Sequence, residues 1–492
     1  MIENFVNAFG YFMHAPSLLA LLTGTVVGYF VGAMPGLNPT LGISLLIPLT
    51  FAIEPVPAIV LLTSLYVACE YGGGITAILI NTPGTSAAAA TALDGYQLTQ
   101  QCQARKALWI SILSSGSGSF LSTLLLIFLA IPLASFALKF GGPEYFALAL
   151  LGLSVVSGLA TGNVIKGWMS AIAGLLISCV GIDKIDGIPR YVINMYFFEG
   201  IPFIPVMIGL FAISEVFVLF EKKAYMCEEV GGQTNDIPSK AELLRCLPTV
   251  LRGTIIGFIV GVIPAAGANI ASWLSYNDAK RRSKRPDQFG KGAIEGIAAS
   301  ESANNSAVSG AMVPLLTLGI PGSSAAAVLV GALMIQGLQP GPLLFARNPE
   351  IPYSIFIAFL LSVPLMTAIG LFCAKPFAKI ANISREVLAF LVFGACVLGS
   401  YALGNSMFPV WVAFVFGVIG YVMRKFDFPT APMVLALVLG PMAETNFRLA
   451  LLMGEGSLLI FLKRPVSVVI LLLTLFAFLS PLMSKKKRST DS

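Results

Sequence analysis

Apolar runs long enough to cross a lipid bilayer recur along the whole chain, and they constrain its fold more than any other feature. The hydrocarbon core of a bilayer is about 30 Å thick, so a helix that spans it needs about 20 apolar residues. Such runs cover residues 18–31, 108–136, 203–220 and 355–372, and further runs begin near Thr249, Leu388, Trp411, Met433 and Val466. Only 11% of the residues are charged, against roughly 25% in a soluble domain. The sequence therefore predicts an all-α polytopic membrane protein with roughly 10 to 14 helical passes, some of them broken or re-entrant.

The polar parts of the chain add no second domain. The longest polar stretches, residues 221–245 and 278–291, are too short to bury a core. The N-terminus lacks the basic region and cleavage site of a secretory signal, so we expect the first apolar run to remain as a membrane helix. Seven scattered cysteines without a Cys-x-x-Cys pair argue against disulfides or a metal cluster. The net charge of +6 fits cytoplasmic anchoring in a lipid bilayer and requires no nucleic-acid partner.

Two motifs occur twice in the same order. L-T-G-T-V-V-G-Y-F-V-G-A-M-P at 22–35 matches L-R-G-T-I-I-G-F-I-V-G-V-I-P at 251–264. T-P-G-T-S-A-A-A at 82–89 matches I-P-G-S-S-A-A-A at 320–327. Duplicated halves are a common construction of secondary transporters. We predict a first membrane repeat at 1–221, a polar linker at 222–248, a second membrane repeat at 249–484 and a basic cytoplasmic tail at 485–492.

Loop charges predict how the two repeats lie in the membrane. After the first motif, the second half carries a basic loop at 280–291, whereas the first half carries only Glu54. After the second motif the pattern reverses, because the first half has Arg105 and Lys106 and the second half is nearly neutral around Arg347. Since cytoplasmic loops are enriched in Lys and Arg, the charges predict two inverted-topology repeats.

Each half contains two helix breaks where Gly, Pro and polar residues interrupt an apolar run. Non-helical backbone at membrane depth is tolerated only against protein or a water-filled cavity, so such breaks indicate a site. Residues 1–104 contain no Lys or Arg, so an anion bound there would rely on amides, hydroxyls and helix N-termini. The alternative is that the breaks are hinges or packing points without a ligand. The predicted substrate-binding residues are Pro35, Gly36, Asn38, Thr82, Pro83, Gly84, Thr85, Ser86, Gly267, Asn269, Pro321, Gly322, Ser323 and Ser324.

Acidic residues inside apolar runs are expensive, which makes them candidates for ion coupling. Glu70 and Glu301 each open a polar patch on the approach to a Pro-Gly break. Amide and hydroxyl oxygens suit Na⁺, whereas a buried carboxyl group suits a proton, so both ions remain open. The predicted coupling-ion residues are Glu70, Asn81, Glu301, Asn304 and Asn305. Asp94, Glu215 and Glu444 are weaker candidates. The alternative for Asp94 is a cap on the loop at 94–96, and the alternative for the other two is pairing with neighbours or exposure to water.

Several motifs resemble the large membrane subunit of the tripartite tricarboxylate transporters, from one end of the chain to the other. They include G-A-M-P-G-L-N-P-T-L-G at 32–42, Y-G-G-G-I-T-A-I-L-I-N-T-P-G-T-S at 71–86 and F-P-T-A-P-M-V-L-A-L-V-L-G-P at 428–441. The family often has Pro-Gly-Ala-Gly where this chain has Pro-Ala-Ala-Gly at 264–267.

The resemblance implies a bacterial inner-membrane carrier that works with a small four-helix membrane subunit and a periplasmic solute-binding protein. It also implies that a Na⁺ or H⁺ gradient drives uptake of citrate or other di- and tricarboxylates. Some members of the family take up aromatic acids or amino acids instead. No other cofactor is expected.

A channel and an enzyme are the two alternatives to a carrier. A passive anion channel would have a continuous polar pore rather than duplicated breaks. An intramembrane enzyme would need a nucleophile and a base, yet His14 is the only histidine, which excludes a His-based triad or zinc motif. The sequence therefore favours an alternating-access carrier that is not an enzyme.

Overall fold

The computed structural model describes residues 2–34, 37–154, 164–183, 185–221, 237–263, 267–380, 385–403 and 405–488. Within these ranges, eight helices are long and apolar enough to cross a membrane. The only strands there form one short antiparallel pair, in which Gly181 lies opposite Arg190. The predicted all-α polytopic fold is confirmed. Pro35, Gly36 and most of the linker predicted at 222–248 lie outside the described residues.

The helices are numbered in chain order. Those of the first half are α1 (Ile2–Phe12), α2 (Ala15–Ala33), α3 (Pro39–Leu46), α4 (Pro55–Ile80), α5 (Ala89–Gln100), α6 (Ala104–Ala137), α7 (Gly142–Ser154), α8 (Val164–Ser178), α9 (Phe203–Met207) and α10 (Ser214–Glu221). The strands are β1 (Gly181–Ile182) and β2 (Pro189–Arg190).

The helices of the second half are α11 (Lys240–Val262), α12 (Gly267–Arg282), α13 (Ile294–Leu318), α14 (Ser324–Ile335), α15 (Pro342–Arg347), α16 (Glu350–Ile380), α17 (Arg385–Ala402), α18 (Met407–Lys425), α19 (Ala431–Met453), α20 (Ile460–Lys463) and α21 (Pro465–Arg488).

The chain divides into two compact units, and each unit takes one segment from each half of the sequence. Unit 1 comprises Met1–Ala134 and Leu219–Leu391, and unit 2 comprises Ser135–Val218 and Val392–Ser492. All four predicted helix breaks belong to unit 1. Each compact unit therefore contains residues from both halves of the sequence.

Glycines bring helix backbones into close contact at equivalent places in the two halves of unit 1. An added Cβ at Gly28 would lie 2.6 Å from the carbonyl oxygen of Leu65 on α4. In the second half, an added Cβ at Gly257 would collide with the carbonyl oxygen of Ala303 on α13. Lipid tails are as apolar as the side chains, so helices in a membrane associate through such close packing. The glycines of the first repeated motif thus fix α2 on α4 and α11 on α13.

Helices α4 and α13 cross in opposite directions at the centre of unit 1. The side-chain Nδ2 of Asn304 donates to the carbonyl oxygen of Glu70 at 3.2 Å. Asn305 Nδ2 donates to the carbonyl oxygen of Val67 at 3.4 Å. Because the later residue of α13 contacts the earlier residue of α4, the two helices are antiparallel at the crossing.

The basic segments of both halves meet at one end of unit 1. Lys106, at the start of α6, forms an ion pair with Glu242 at the start of α11. Gln101 Nε2 donates to the carbonyl oxygen of Lys291 at 3.0 Å. The two basic segments from which an inverted arrangement was predicted therefore lie side by side.

Two of the weaker coupling candidates form ion pairs in unit 2. Glu215 pairs with Arg424, and Glu444 accepts two hydrogen bonds from the guanidinium group of Arg190, at 2.9 and 3.3 Å. Arg448 also donates to Glu444, at 2.9 Å. Both carboxylates therefore have structural partners, as expected if they pair with neighbours rather than couple an ion.

We expect Gly257→Leu to destabilise the protein, because the new side chain has no space between α11 and α13. Overpacking of this kind costs about 1–3 kcal/mol. The measurement is thermal unfolding of the purified protein in detergent, followed by tryptophan fluorescence. Gly10→Leu is the matched control, since a Cβ there meets nothing within 4 Å. Equal melting temperatures for the two variants would contradict the packing argument.

Candidate functional site

The second helix break of the first half forms a re-entrant hairpin. Asn81 ends α4 in the left-handed conformation, with φ of 53°, which Asn tolerates better than most residues. The chain then turns back along α4, where the N–H of Gly84 donates to the carbonyl oxygen of Gly73 at 3.2 Å. We call residues 82–86 the first tip. It reaches back two turns along α4, and within it Gly84 and Thr85 are buried, whereas Thr82 and Pro83 are half-buried.

The corresponding break of the second half has the same geometry. Gly319 ends α13 with φ of 74°, and the N–H of Ile320 donates to the carbonyl oxygen of Pro314 at 3.1 Å. A Cβ on Gly322 would lie 2.7 Å from the Cα of Ala311, so this glycine permits the return along α13. We call residues 320–324 the second tip; it includes Pro321.

The two tips differ in how they start the next helix. Ser323 caps α14, because its Oγ accepts the N–H of Ala326 at 3.1 Å. Thr85 precedes a short 3-10 turn, Ser86–Ala88, and makes no side-chain cap. Ser324 is half-buried in the first turn of α14, and Ser86 is exposed. Free N–H groups at the start of α14 are suited to an anion.

Each tip packs against an element that follows the first break of the other half. Helix α3, which begins after Asn38, contacts α14, and Asn38 caps α3 by accepting the N–H of Leu41 at 3.0 Å. Helix α12, which begins at Gly267 with φ of 66°, contacts the 3-10 turn of the first tip. Asn269 lies half-buried in the first turn of α12. The helix that follows each first break thus contacts the element that follows the tip of the other half.

Tyr66 is a site residue that sequence analysis missed. Its hydroxyl lies 2.8 Å from Ser323 Oγ, and either atom can be the donor. The side chain is only 2% exposed and extends from α4 to the second tip. The available signal was a tyrosine one turn before Glu70 in an otherwise apolar helix.

Glu301 lies fully buried on α13 with a hydrogen bond to each carboxylate oxygen. Thr91 Oγ1 donates to Oε1 at 2.6 Å, and Ser115 Oγ donates to Oε2 at 2.7 Å. Gly74 leaves space for this carboxylate, since an added Cβ would lie 2.7 Å from Oε1. Thr91 and Ser115 were not predicted, because their helices α5 and α6 are distant from α13 in sequence.

Glu70 and the two asparagines of α13 present oxygen atoms that lack partners. Their side chains are buried at the crossing of α4 and α13. The buried oxygen atoms without a hydrogen-bond partner among the described residues include Glu70 Oε2, Asn304 Oδ1 and Asn305 Oδ1 at this crossing, and Thr85 Oγ1 in the first tip. Unpaired buried acceptors cost about 1–3 kcal/mol each, and their concentration here indicates a place for a ligand.

Asp94 has a structural role. Its Oδ1 accepts the N–H groups of Gly290, Gly292 and Ala293 at 2.8, 2.9 and 2.8 Å. Its Oδ2 accepts the hydroxyl of Tyr276 at 2.8 Å. The carboxylate therefore holds the turn that begins α13, which is a cap on a distant loop rather than on the loop at residues 94–96.

We expect Asp94→Ala to release the turn at 290–293, because three backbone N–H groups lose their acceptor. Hydrogen bonds to a charged group contribute about 1.5–3 kcal/mol each, so trypsin should cleave the basic segment at 280–291 several-fold faster. The measurement is limited proteolysis of the purified protein, with Asp287→Ala as the control in the same exposed segment. Unchanged cleavage of the Asp94 variant would show that the turn holds without it.

Comparison with known proteins identifies the family. Residues 18–435 match the model of the tripartite tricarboxylate transporter TctA family. An uncharacterised 52.8 kDa protein from the TAR-I ttuC′ 3′ region of Agrobacterium vitis is 37% identical over 494 residues, covering 100% of this chain and 98% of that protein. An uncharacterised protein from the TAR-II ttuC′ 3′ region of the same organism is 34% identical over 237 residues, covering 48% of this chain and 97% of that protein. No solved structure matches the chain.

The family match covers the repeated motifs, the two tips and the crossing of α4 and α13. The family motifs seen in the sequence and the polytopic helical fold agree with this match. The chain belongs to the tripartite tricarboxylate transporter TctA family.

Proposed function

We propose that this chain is the carrier subunit that moves small carboxylates such as citrate across a bacterial inner membrane, driven by a Na⁺ or H⁺ gradient. In this proposal a periplasmic solute-binding protein delivers the substrate and a small four-helix membrane subunit completes the complex. The observation that supports it most is the pair of re-entrant tips inside unit 1, because broken helices with matching geometry are how secondary transporters build midplane binding sites.

The chemistry of the second tip fits a carboxylate. Hydroxyl groups of Ser323 and Ser324 can donate hydrogen bonds, and the start of α14 adds free N–H groups with a partial positive charge. Tyr66, which reaches Ser323, and helix α3, which contacts α14, come from a stretch without Lys or Arg, so the first half would contribute no tight ion pair to the anion. A carrier has to release its substrate, and moderate binding serves that need.

Two contacts support inverted repeats. The antiparallel crossing of α4 and α13 means that equivalent helices of the two halves run in opposite directions. The hydrogen bond from Gln101 to the carbonyl oxygen of Lys291 joins the segment just before Arg105 to the basic segment at 280–291. With these segments in the cytoplasm, the tips enter from opposite sides. Alternating access then follows if one tip becomes accessible from the periplasm and the other from the cytoplasm.

The coupling ion would bind where Glu70, Glu301 and the asparagines of α13 lie. Within the described residues, neither carboxylate has a Lys or Arg partner. A buried carboxylate without a basic partner is stabilised either by protonation or by a bound cation. Either event links substrate binding to an ion gradient.

The direct test is uptake of labelled citrate, other di- and tricarboxylates and amino acids into membrane vesicles that contain this chain with its two partners. Na⁺ and pH gradients are imposed separately. We expect uptake of a carboxylate to follow one gradient, because the ion site and the tips belong to the same unit. Flux that ignores both gradients would indicate a channel, and no flux of any carboxylate would reject the substrate class.

Ser324→Leu should lower uptake more than about tenfold, because a bulky apolar side chain would occupy the start of α14 and remove a hydrogen-bond donor worth about 1.5–3 kcal/mol to a charged ligand. The measurement is the initial rate of uptake, normalised to the amount of protein in the membrane. Ser457→Leu, the same change at an exposed turn of unit 2, should leave the rate unchanged. Normal uptake by the Ser324 variant would remove this residue from the site.

A further inference from the structure

We propose that the two tips bind different ligands: the second tip, with Tyr66, takes the carboxylate of the substrate, and the first tip, with Asn304 and Glu70, takes a metal cation rather than a proton. This inference rests on the proposed function and assigns its two ligands to separate places. It departs from the symmetry of the repeats, which by itself predicts the same chemistry at both tips.

The two tips are built from equivalent positions. Thr85 and Ser323 stand 238 positions apart in the sequence, and so do Tyr66 and Asn304. At the second tip, a side chain of α4 reaches the start of α14. At the first tip, the equivalent side chain belongs to α13, and α13 contacts the 3-10 turn that follows Thr85. The two tips therefore share equivalent positions but differ in chemistry, with Tyr66 at one and Asn304 at the other.

The second tip is rich in hydrogen-bond donors. Tyr66 OH and Ser323 Oγ lie 2.8 Å apart, so one proton joins them and the other hydroxyl proton is available. The N–H groups at the start of α14 point the same way along the helix. A carboxylate accepts from such groups, whereas a cation would be repelled by them. The second tip therefore suits the anion.

The first tip is rich in acceptors. The side-chain Nδ2 of Asn304 donates to the carbonyl oxygen of Glu70. Its Oδ1 accepts no hydrogen bond from the described residues. Thr85 lies against Gly73, one turn from Glu70, and its Oγ1 also lacks a partner. These oxygen atoms are within about one helical turn of Glu70, or about 5 Å along the axis.

The number of unpaired acceptors favours a metal ion over a proton. A proton on Glu70 can donate to one neighbouring oxygen only, and the other buried acceptors would remain unpaired. A metal ion accepts several oxygen ligands at once. One free carboxylate is available, because that of Glu301 is satisfied by Thr91 and Ser115. A single negative ligand with neutral oxygens matches a monovalent cation such as Na⁺.

The spacing of the tips provides coupling. Ser323 is at the level of Tyr66 and Thr85 is at the level of Gly73, two turns apart on α4, or about 10 Å. Opposite unit charges on the order of 10 Å apart, at an effective dielectric constant near 20, attract each other enough to raise either affinity about tenfold. Saturating Na⁺ should therefore tighten carboxylate binding by about that factor, and the effect is reciprocal.

The experiment measures equilibrium binding of labelled citrate and, separately, of ²²Na⁺ to the purified full-length protein by scintillation proximity. The variants come in matched pairs from equivalent positions: Tyr66→Phe with Asn304→Leu, and Ser323→Ala with Thr85→Val. We expect the first member of each pair to weaken citrate binding about tenfold or more and to leave ²²Na⁺ binding within about twofold. The second member should weaken ²²Na⁺ binding and leave citrate binding at saturating Na⁺ within about twofold.

Melting temperatures of all four variants identify any that are misfolded. The pair Thr85→Val and Ser323→Ala, which changes the side chains least, keeps the test valid if a larger change fails. Equal loss of both ligands in folded variants would overturn the separate assignment. Citrate binding by the wild type without any ²²Na⁺ binding would overturn the assignment of a metal cation to the first tip and leave the carrier proposal intact. Absence of both ligands from the wild type would overturn the proposed function itself.

Discussion

Unpaired backbone groups cannot face lipid, and this constraint governs the arrangement of unit 1. The two tips leave the ends of α4 and α13 and run back along them, so these helices must be shielded from the bilayer. Helix α4 is buried from Pro57 to Leu79, and nearly all of α13 is buried as well. The glycine faces of α2 and α11 make this possible, because they cover α4 and α13 at backbone distance. Close packing thus permits broken helices, and the broken helices form the candidate site.

The sequence predicted the features that depend on local pattern. Apolar length predicted the membrane helices, and the repeated Gly spacing and the Pro-Gly motifs predicted equivalent packing and equivalent breaks. Gly84 and Gly322, predicted as paired site residues, return along α4 and α13 in the same manner. These signals succeed because helix length, glycine contacts and helix termination depend on residues that are close in sequence.

The remaining features depend on partners that pattern cannot supply. Tyr66 joins the site only because Ser323 returns to it from 257 residues away, and Thr91 reaches Glu301 across 210 residues. The sequence leaves Asp94 open to ion coupling or to a loop cap, and only the structure shows its carboxylate holding the turn at 290–293. The division into two units, each drawing on both halves, also follows from packing between distant segments.

The carboxylate of Asp94 has a consequence for how the chain is made. Its first backbone partner, Gly290, lies 196 residues later, and a ribosome adds about 5–20 residues per second. Asp94 is therefore synthesised on the order of 10–40 s before the turn at 290–293, whose N–H groups its carboxylate accepts. During that interval the first half cannot reach its final structure, because Asp94 on α5 lacks the hydrogen-bond donors of the turn at 290–293. Biogenesis of the first half is thus tied to synthesis of the second, and truncation after the first half would leave a buried acid exposed to cellular quality control.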